Sequence, residues 1–122
     1  MGTHSIFVYG SLKRGHRHHR ELRGARFVGE RETAPAYRLL DFGDYPALAR
    51  GDRSIMGELF EVDDELLSHL DEFEGADYRR ALVELADAST AQAYFAVDGG
   101  TAGAREFDGR TWPDLGPGDP QR

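Results

Sequence analysis

The first residues whose types and spacing could do chemistry are "FVYGSL", Phe7 to Leu12, an apolar run that stops at Gly10 and Ser11 and is followed at once by charge. A strand ending in Gly-Ser lets the backbone turn sharply and present successive N–H groups, a concavity suited to a carboxylate or an oxyanion. A plain strand end with a tight turn is the simpler reading. "GSLKRGHR" is not a Walker-type phosphate loop, because His16 and Arg17 stand where a Lys-Ser/Thr pair would have to follow the second glycine, and no GxGxxG follows the strand. Ser11 has no GxSxG context, so nothing marks it as a nucleophile.

Glu74 is the second candidate, and it needs a helix to place it. Asp63 suits an N-cap, Leu66, Leu67, Leu70 and Phe73 recur at helical spacing, Val62 and Leu67 fall at the hydrophobic-staple positions, and Gly75 suits the left-handed residue that ends a helix. The predicted helix therefore begins after Asp63 and places Glu74 in its last turn, beside Asp71 and Glu72, where the helix dipole is already negative. An exposed acid there is disfavoured by about 0.3 to 1 kcal/mol. Neighbouring carboxylates also push its pKa above the usual value of about 4.3. Those are the conditions of a general base, and an ordinary exposed glutamate is the alternative. Tyr78, at the start of the next strand, suits half-buried core, with a hydroxyl able to reach a site formed at the helix end.

Three histidines, His16, His18 and His19, cluster in "HRHHRE". They lack the HExxH spacing, and Arg17 and Arg20 between them repel a cation, so no metal site is expected. A solvated basic loop that attracts anions, or changes charge near pH 6, fits better. His69, on the helix, reads as a surface or packing residue.

These groups sit in a chain of 122 residues, the length of one compact domain, with 15 Lys and Arg against 22 Asp and Glu, a net charge of −7. That sign repels nucleic acid and anionic membrane, so neither is expected as a partner. The charge is uneven: Lys13 to Arg31 holds seven basic and two acidic residues, 7 − 2 = +5, whereas Glu58 to Asp77 holds nine acidic and no Lys or Arg. Zero cysteines exclude a disulfide framework and a thiolate nucleophile, and suit a reducing compartment. The early apolar run is too short for a signal or a membrane span, so a cytoplasmic location is expected. Strands are predicted at 5–9, 26–30, 36–42, 55–62, 78–86 and 92–97, separated by turn-forming Gly, Pro and Asp. The expected domain is 1–107. Residues 108–122, rich in Gly and Pro and anchored by Trp112 alone, are expected to form a frayed, partly disordered tail.

In order along the chain, "FVYGSLKRG", "HRELRG", "YPAL", "GELFEVDDELLSHLDEFEG" and "YRR" resemble the gamma-glutamylcyclotransferase-like superfamily, most closely its gamma-glutamylamine cyclotransferase and AIG2-like branch. The likeness runs from about residue 6 to 85, and its specificity lies in the pairing of the Tyr-Gly-Ser-Leu turn with the Leu-Asp-x-Phe-Glu helix end. The resemblance implies an α+β fold, a small mixed β-barrel with one main helix packed across it. It implies that Tyr9, Gly10, Ser11 and Leu12 hold the carboxylate and amine of a glutamyl group, that Glu74 is the catalytic acid/base, and that Tyr78 lines the pocket or orients the carboxylate. The implied reaction closes a small-molecule gamma-glutamyl amide to 5-oxoproline with release of an amine, without metal or cofactor. A non-catalytic relative that binds small carboxylates is the alternative. His18 stands where the amine-specific branch tends to carry Asn, and after Ala86 little matches.

Overall fold

β1 (Thr3–Val8) is buried on both faces over its second half, Ile6 to Val8. Phe7, and Tyr9 just beyond the strand, join one core cluster with Leu39, Leu48 and Ile55, while Ile6 and Val8 join another with Phe60, Val62, Leu67 and Leu70. Two-sided burial is why this strand reads as a continuous apolar run rather than an alternating one. The structure is a computed structural model that describes residues 2–42, 46–97, 105–107 and 112.

The described strands form one mixed sheet. β5 (Met56–Asp63) runs antiparallel to β1, in register from Thr3↔Asp63 to Val8↔Glu58, and β2 (Arg26–Glu32) flanks β5 on its other side. β6 (Tyr78–Glu84) and β7 (Thr90–Ala96) form a hairpin. At the far end Thr33 bridges Leu85, and Ala34 N–H and Ala86 N–H donate to Glu84 O and Glu32 O at 2.9 Å each. That contact ties β2 to β6 and curls the sheet into a half-barrel, hiding strand edges. β3 (Tyr37–Asp41) pairs with β4 (Pro46–Arg50) and with the short β8 (Arg105–Phe107).

The sheet forks at β7. β6 occupies one edge of β7 along its whole length, so β1 and β4, both parallel to β7, must share the other edge, β1 at Gln92 and β4 at Phe95. Two strands cannot occupy the same stretch of edge, and β1 leaves the sheet where β4 enters. The buried Tyr9 hydroxyl fills the fork, donating to Tyr94 O and accepting from Leu48 N–H at 3.0 Å. Backbone groups that would lose ladder partners at the split are thereby satisfied.

The helix α1 (Asp64–Glu74) begins and ends as expected. Asp63 Oδ1 accepts from Leu66 N–H at 2.8 Å, Val62 and Leu67 share a cluster, and Gly75 terminates the helix at a φ of +70°, its N–H donating to Asp71 O. Leu67 and Leu70 bury its inner face against the sheet.

All six expected strands form, and β4 and β8 join them. β4 is short and opens with Pro46, a residue a strand tolerates at its first position, where no ladder N–H is required. The basic segment departs from the expectation of a solvated loop. Lys13 and His16 are only 5% and 6% exposed, and the chain turns back on itself through His18 N–H to Ser11 O at 2.9 Å. The short apolar residues around it, Leu12 and Leu22, pull the segment into the helix-facing core. Its charges meet the acidic stretch in Arg14 with Glu58 at 3.4 Å and Arg26 with Glu61 at 2.8 Å, and its own Glu21 lies 2.7 Å from His69 Nε2 on the helix. The expectation of a disordered tail falls on 108–111 and 113–122, outside the described residues. Trp112 itself is 5% exposed, packs 5.1 Å from the Phe107 ring, and accepts from Lys13 Nζ on its carbonyl at 3.1 Å. No described helix is long and apolar enough to cross a membrane.

Candidate active site

Two elements distant in sequence converge below the fork. The first is the turn after β1, closed by Lys13 N–H donating to Gly10 O at 3.1 Å, so that Ser11 and Leu12 are its central residues. Central N–H groups of such a turn point outward, and neither the Ser11 nor the Leu12 N–H meets a backbone acceptor among the described residues. Gly10 allows the close approach of β4: a Cβ there would stand 2.7 Å from Pro46 Cγ. The second element is the end of α1. Between them lies a cavity of about 40 Å³ lined by Gly10, Ser11, Leu12, Pro46, Glu74 and Tyr78, together with Tyr9 and Tyr94.

Every site residue expected from the sequence is thus brought to one place: Tyr9, Gly10, Ser11, Leu12, Glu74 and Tyr78. Phe7, Val8, Pro46 and Tyr94 line the cavity as well and were not expected. Tyr94 sits mid-strand in "AQAYFAV", where an aromatic reads as core, and no local signal distinguishes it.

The Glu74 carboxyl is half-buried, and burial alone pushes its pKa up to about 7. The expected cause, repulsion by Asp71 and Glu72, is not the operative one. Asp71 is engaged elsewhere, receiving Arg80 Nε at 2.8 Å and Nη2 at 3.1 Å, and the Tyr94 hydroxyl at 2.7 Å. Arg80 and Tyr94 hold the Asp71 carboxyl below the usual carboxylate range against its partial burial. One turn before Glu74, this cluster pins the last turn of α1 to β6 and β7. No hydrogen bond or ion pair of the Glu74 carboxyl is present among the described residues. A half-buried acid without a partner accepts a proton readily near neutrality.

The tyrosines play a different part. Burial raises the Tyr9 hydroxyl well above its ordinary value, with Tyr78 and Glu74 adding to the effect, and burial likewise raises Tyr94. Both stay neutral and serve as hydrogen-bonding struts. Tyr78 donates to Pro46 O at 2.6 Å, holding the first residue of β4 against the cavity wall. Among the described residues no group of His, Asp and Glu could hold a metal ion.

The same chain order recurs in known proteins. A family model described as gamma-glutamyl cyclotransferase, AIG2-like, matches residues 6–114. A protein of Vibrio cholerae named as a candidate gamma-glutamylcyclotransferase is 41% identical over 83 residues, covering 66% of this chain and 72% of that protein. Bovine gamma-glutamylaminecyclotransferase is 38% identical over 94 residues, covering 66% of this chain, which spans 55% of the bovine protein's length. The crystal structure of an AIG2-like protein from Mus musculus superposes with a TM-score of 0.80 at 25% identity, over 96% of this chain and 92% of the mouse protein. Since the matched region runs from the strand that breaks at the first turn, through the helix that ends in Glu74, to beyond Trp112, the chain belongs to the gamma-glutamyl cyclotransferase, AIG2-like family of enzymes.

Proposed function

We propose that the cavity takes the glutamyl part of a gamma-glutamyl amide and closes it to 5-oxoproline, releasing an amine. The observation that carries this reading is the placement of one proton-accepting carboxyl, Glu74, at about pKa 7, in the same cavity as the turn of Gly10 to Leu12. The substrate's α-amine attacks its own γ-carbonyl carbon, a C–N bond forms to close the five-membered ring, and the C–N bond to the leaving amine breaks. Glu74 takes the proton that the attacking nitrogen sheds and returns it to the departing nitrogen. The substrate's α-amine, with a free carboxylate on the same carbon, is more basic than a chain-terminal amine of pKa about 8, and raising Glu74 to about 7 narrows the gap across which the proton moves. Ring closure is intramolecular, so the protein's main task is to hold the extended glutamyl chain in the bent, reactive conformation. The outward N–H groups at Ser11 and Leu12 suit the α-carboxylate or the developing oxyanion.

The leaving group in this reading bears a positive charge. Glu72 and Asp77 stand exposed close to Glu74 in the chain, with no ion pair among the described residues, and give the helix end a negative charge that favours a cation. The bovine relative is named for gamma-glutamylamines. The test is mass spectrometry of 5-oxoproline release across gamma-glutamyl diamines, monoamines and amino acids. Diamine conjugates should turn over fastest, and Glu74→Gln should abolish release while retaining ligand binding. No release by the unaltered protein from any of these compounds would refute the reading and favour a carboxylate-binding module.

A further inference from the structure

His18 belongs to the histidine cluster that the sequence leaves without a role, yet it touches both halves of the site. Its Nδ1 lies 2.9 Å from Ser11 Oγ, and its backbone N–H donates to Ser11 O at 2.9 Å. Its ring packs edge-on to Phe73 with centroids 5.2 Å apart, and Phe73 immediately precedes Glu74. The Ser11 hydroxyl has no other side-chain or backbone partner among the described residues. Within the protein, the hydroxyl proton finds an acceptor only if Nδ1 carries no proton. The neighbouring His19 does the opposite, since its Nδ1 faces the Leu12 carbonyl at 2.9 Å and can only donate to it.

Resting on the cyclotransferase reading, we infer that His18 is a positioning residue: as a neutral Nε2–H imidazole it draws the Ser11 proton away from the cavity, so that Ser11 Oγ offers its lone pairs to the substrate's amine. An amine N–H held on that oxygen has its lone pair turned toward the carbonyl carbon and another proton toward Glu74. Protonating His18 reverses the hydrogen bond. Nδ1–H then donates to Ser11, the hydroxyl proton swings into the cavity, and the acceptor is lost. Burial and Arg17 keep the ring neutral at pH 7, Arg20 helps, and Glu21 opposes them. The helix meets the ring with the Phe73 side chain and the turn meets it with the Ser11 hydroxyl, neither of them charged.

The experiment has two arms. In the first, long-range proton–nitrogen spectra of histidine-labelled protein, assigned with His18→Asn, should show His18 as the neutral Nε2–H tautomer at pH 7. An Nδ1–H tautomer or a charged ring at pH 7 would overturn the inference whether or not the protein turns over substrate. In the second, kcat/KM is followed from pH 5 to 8. Protonation of His18 adds to the protonations of Glu74 and of the substrate's own amine, so the acid limb of the unaltered protein should be steeper by about one unit than it would be with Glu74 and the amine alone. His18→Asn, whose Oδ1 replaces Nδ1 as an acceptor that cannot be protonated, should keep activity at pH 7 and flatten the acid limb by about one unit. His18→Leu should lose about tenfold in kcat/KM, roughly one hydrogen bond's worth, but nothing further in a Ser11→Ala background. An unchanged slope in His18→Asn would overturn the inference. Absence of turnover in the unaltered protein would instead sink the cyclotransferase reading, and the tautomer would then decide the role of His18 by itself.

Discussion

The two halves of the cavity are built on opposite principles. The turn from Tyr9 to Leu12 is heavily braced: the Tyr9 and Ser11 hydroxyls and the Gly10, Ser11 and Leu12 carbonyls have partners, from Leu48 and Tyr94 through Lys13 to His18 and His19. The outward N–H groups of Ser11 and Leu12 are left for a ligand. At the helix end, satisfaction stops one turn short of the reactive group, because Asp71 collects Arg80 and Tyr94 while Glu74 has no hydrogen-bonding partner among the described residues and is pushed up to about 7. A binding surface benefits from rigidity, which lowers the entropy lost when ligand docks. A proton shuttle benefits from a carboxyl indifferent to its charge, which comes at the expense of stability.

The largest effect expected from breaking that contrast is at Glu74. Glu74→Gln should lower kcat by about a thousandfold, within the range for a positioned acid/base. The same change should stabilise the fold at high pH. A folded pKa of about 7 against 4.5 for the unstructured carboxyl means the native state holds its proton longer, so stability falls as pH rises from 4.5 to 7 and stays low above. The upper bound of the gain is about 3 kcal/mol at pH 8, vanishing near pH 4. Urea unfolding at both pH values measures it, and an equal effect at each would contradict the assignment. In the unaltered enzyme, activity should fall as pH drops below about 7, because the ionised carboxylate is the form that accepts a proton.

On the braced side, Gly10→Ala should cost about 1 to 3 kcal/mol and raise KM more than it lowers kcat, because the new methyl meets Pro46 Cγ at 2.7 Å and must displace β4 or the turn. Tyr9→Phe should cost about 1 to 3 kcal/mol, since it strands Leu48 N–H and Tyr94 O at the fork. Thermal melts with steady-state kinetics on both variants would separate scaffold from catalysis. The smallest effect is expected at Asp71→Asn. Its partly exposed pair with Arg80 should be worth about 1 kcal/mol or less. A fall of a few-fold in kcat at unchanged KM would show that the cluster holds Glu74 in place, whereas a change in KM alone would place its role in binding.

Much of this was legible in the chain. The helix was, because Asp63, the staple of Val62 and Leu67, and Gly75 are local devices whose partners lie within a few residues. β1 and its break were, because an apolar run interrupted by Gly-Ser has few other readings. β4 was not, since a five-residue strand opened by Pro46 carries almost no periodic signal and forms because β3 pairs with it along its whole length and β7 offers it an edge at Leu48. The histidine loop was misread as solvated because nothing local says that Leu12 and Leu22 will draw it into the core.

Residue order alone therefore determined which groups could react and roughly how each sits on its own element: Glu74 at a helix end, Gly10 to Leu12 at a strand break. Only the tertiary structure decided that the two face one cavity, that burial rather than neighbouring charge tunes Glu74, and that Tyr94, Pro46 and His18 belong beside them. The physical reason is range. Capping, turning and periodicity act across a few residues, whereas desolvation and the sharing of one strand edge by two others depend on segments dozens of residues apart meeting in space.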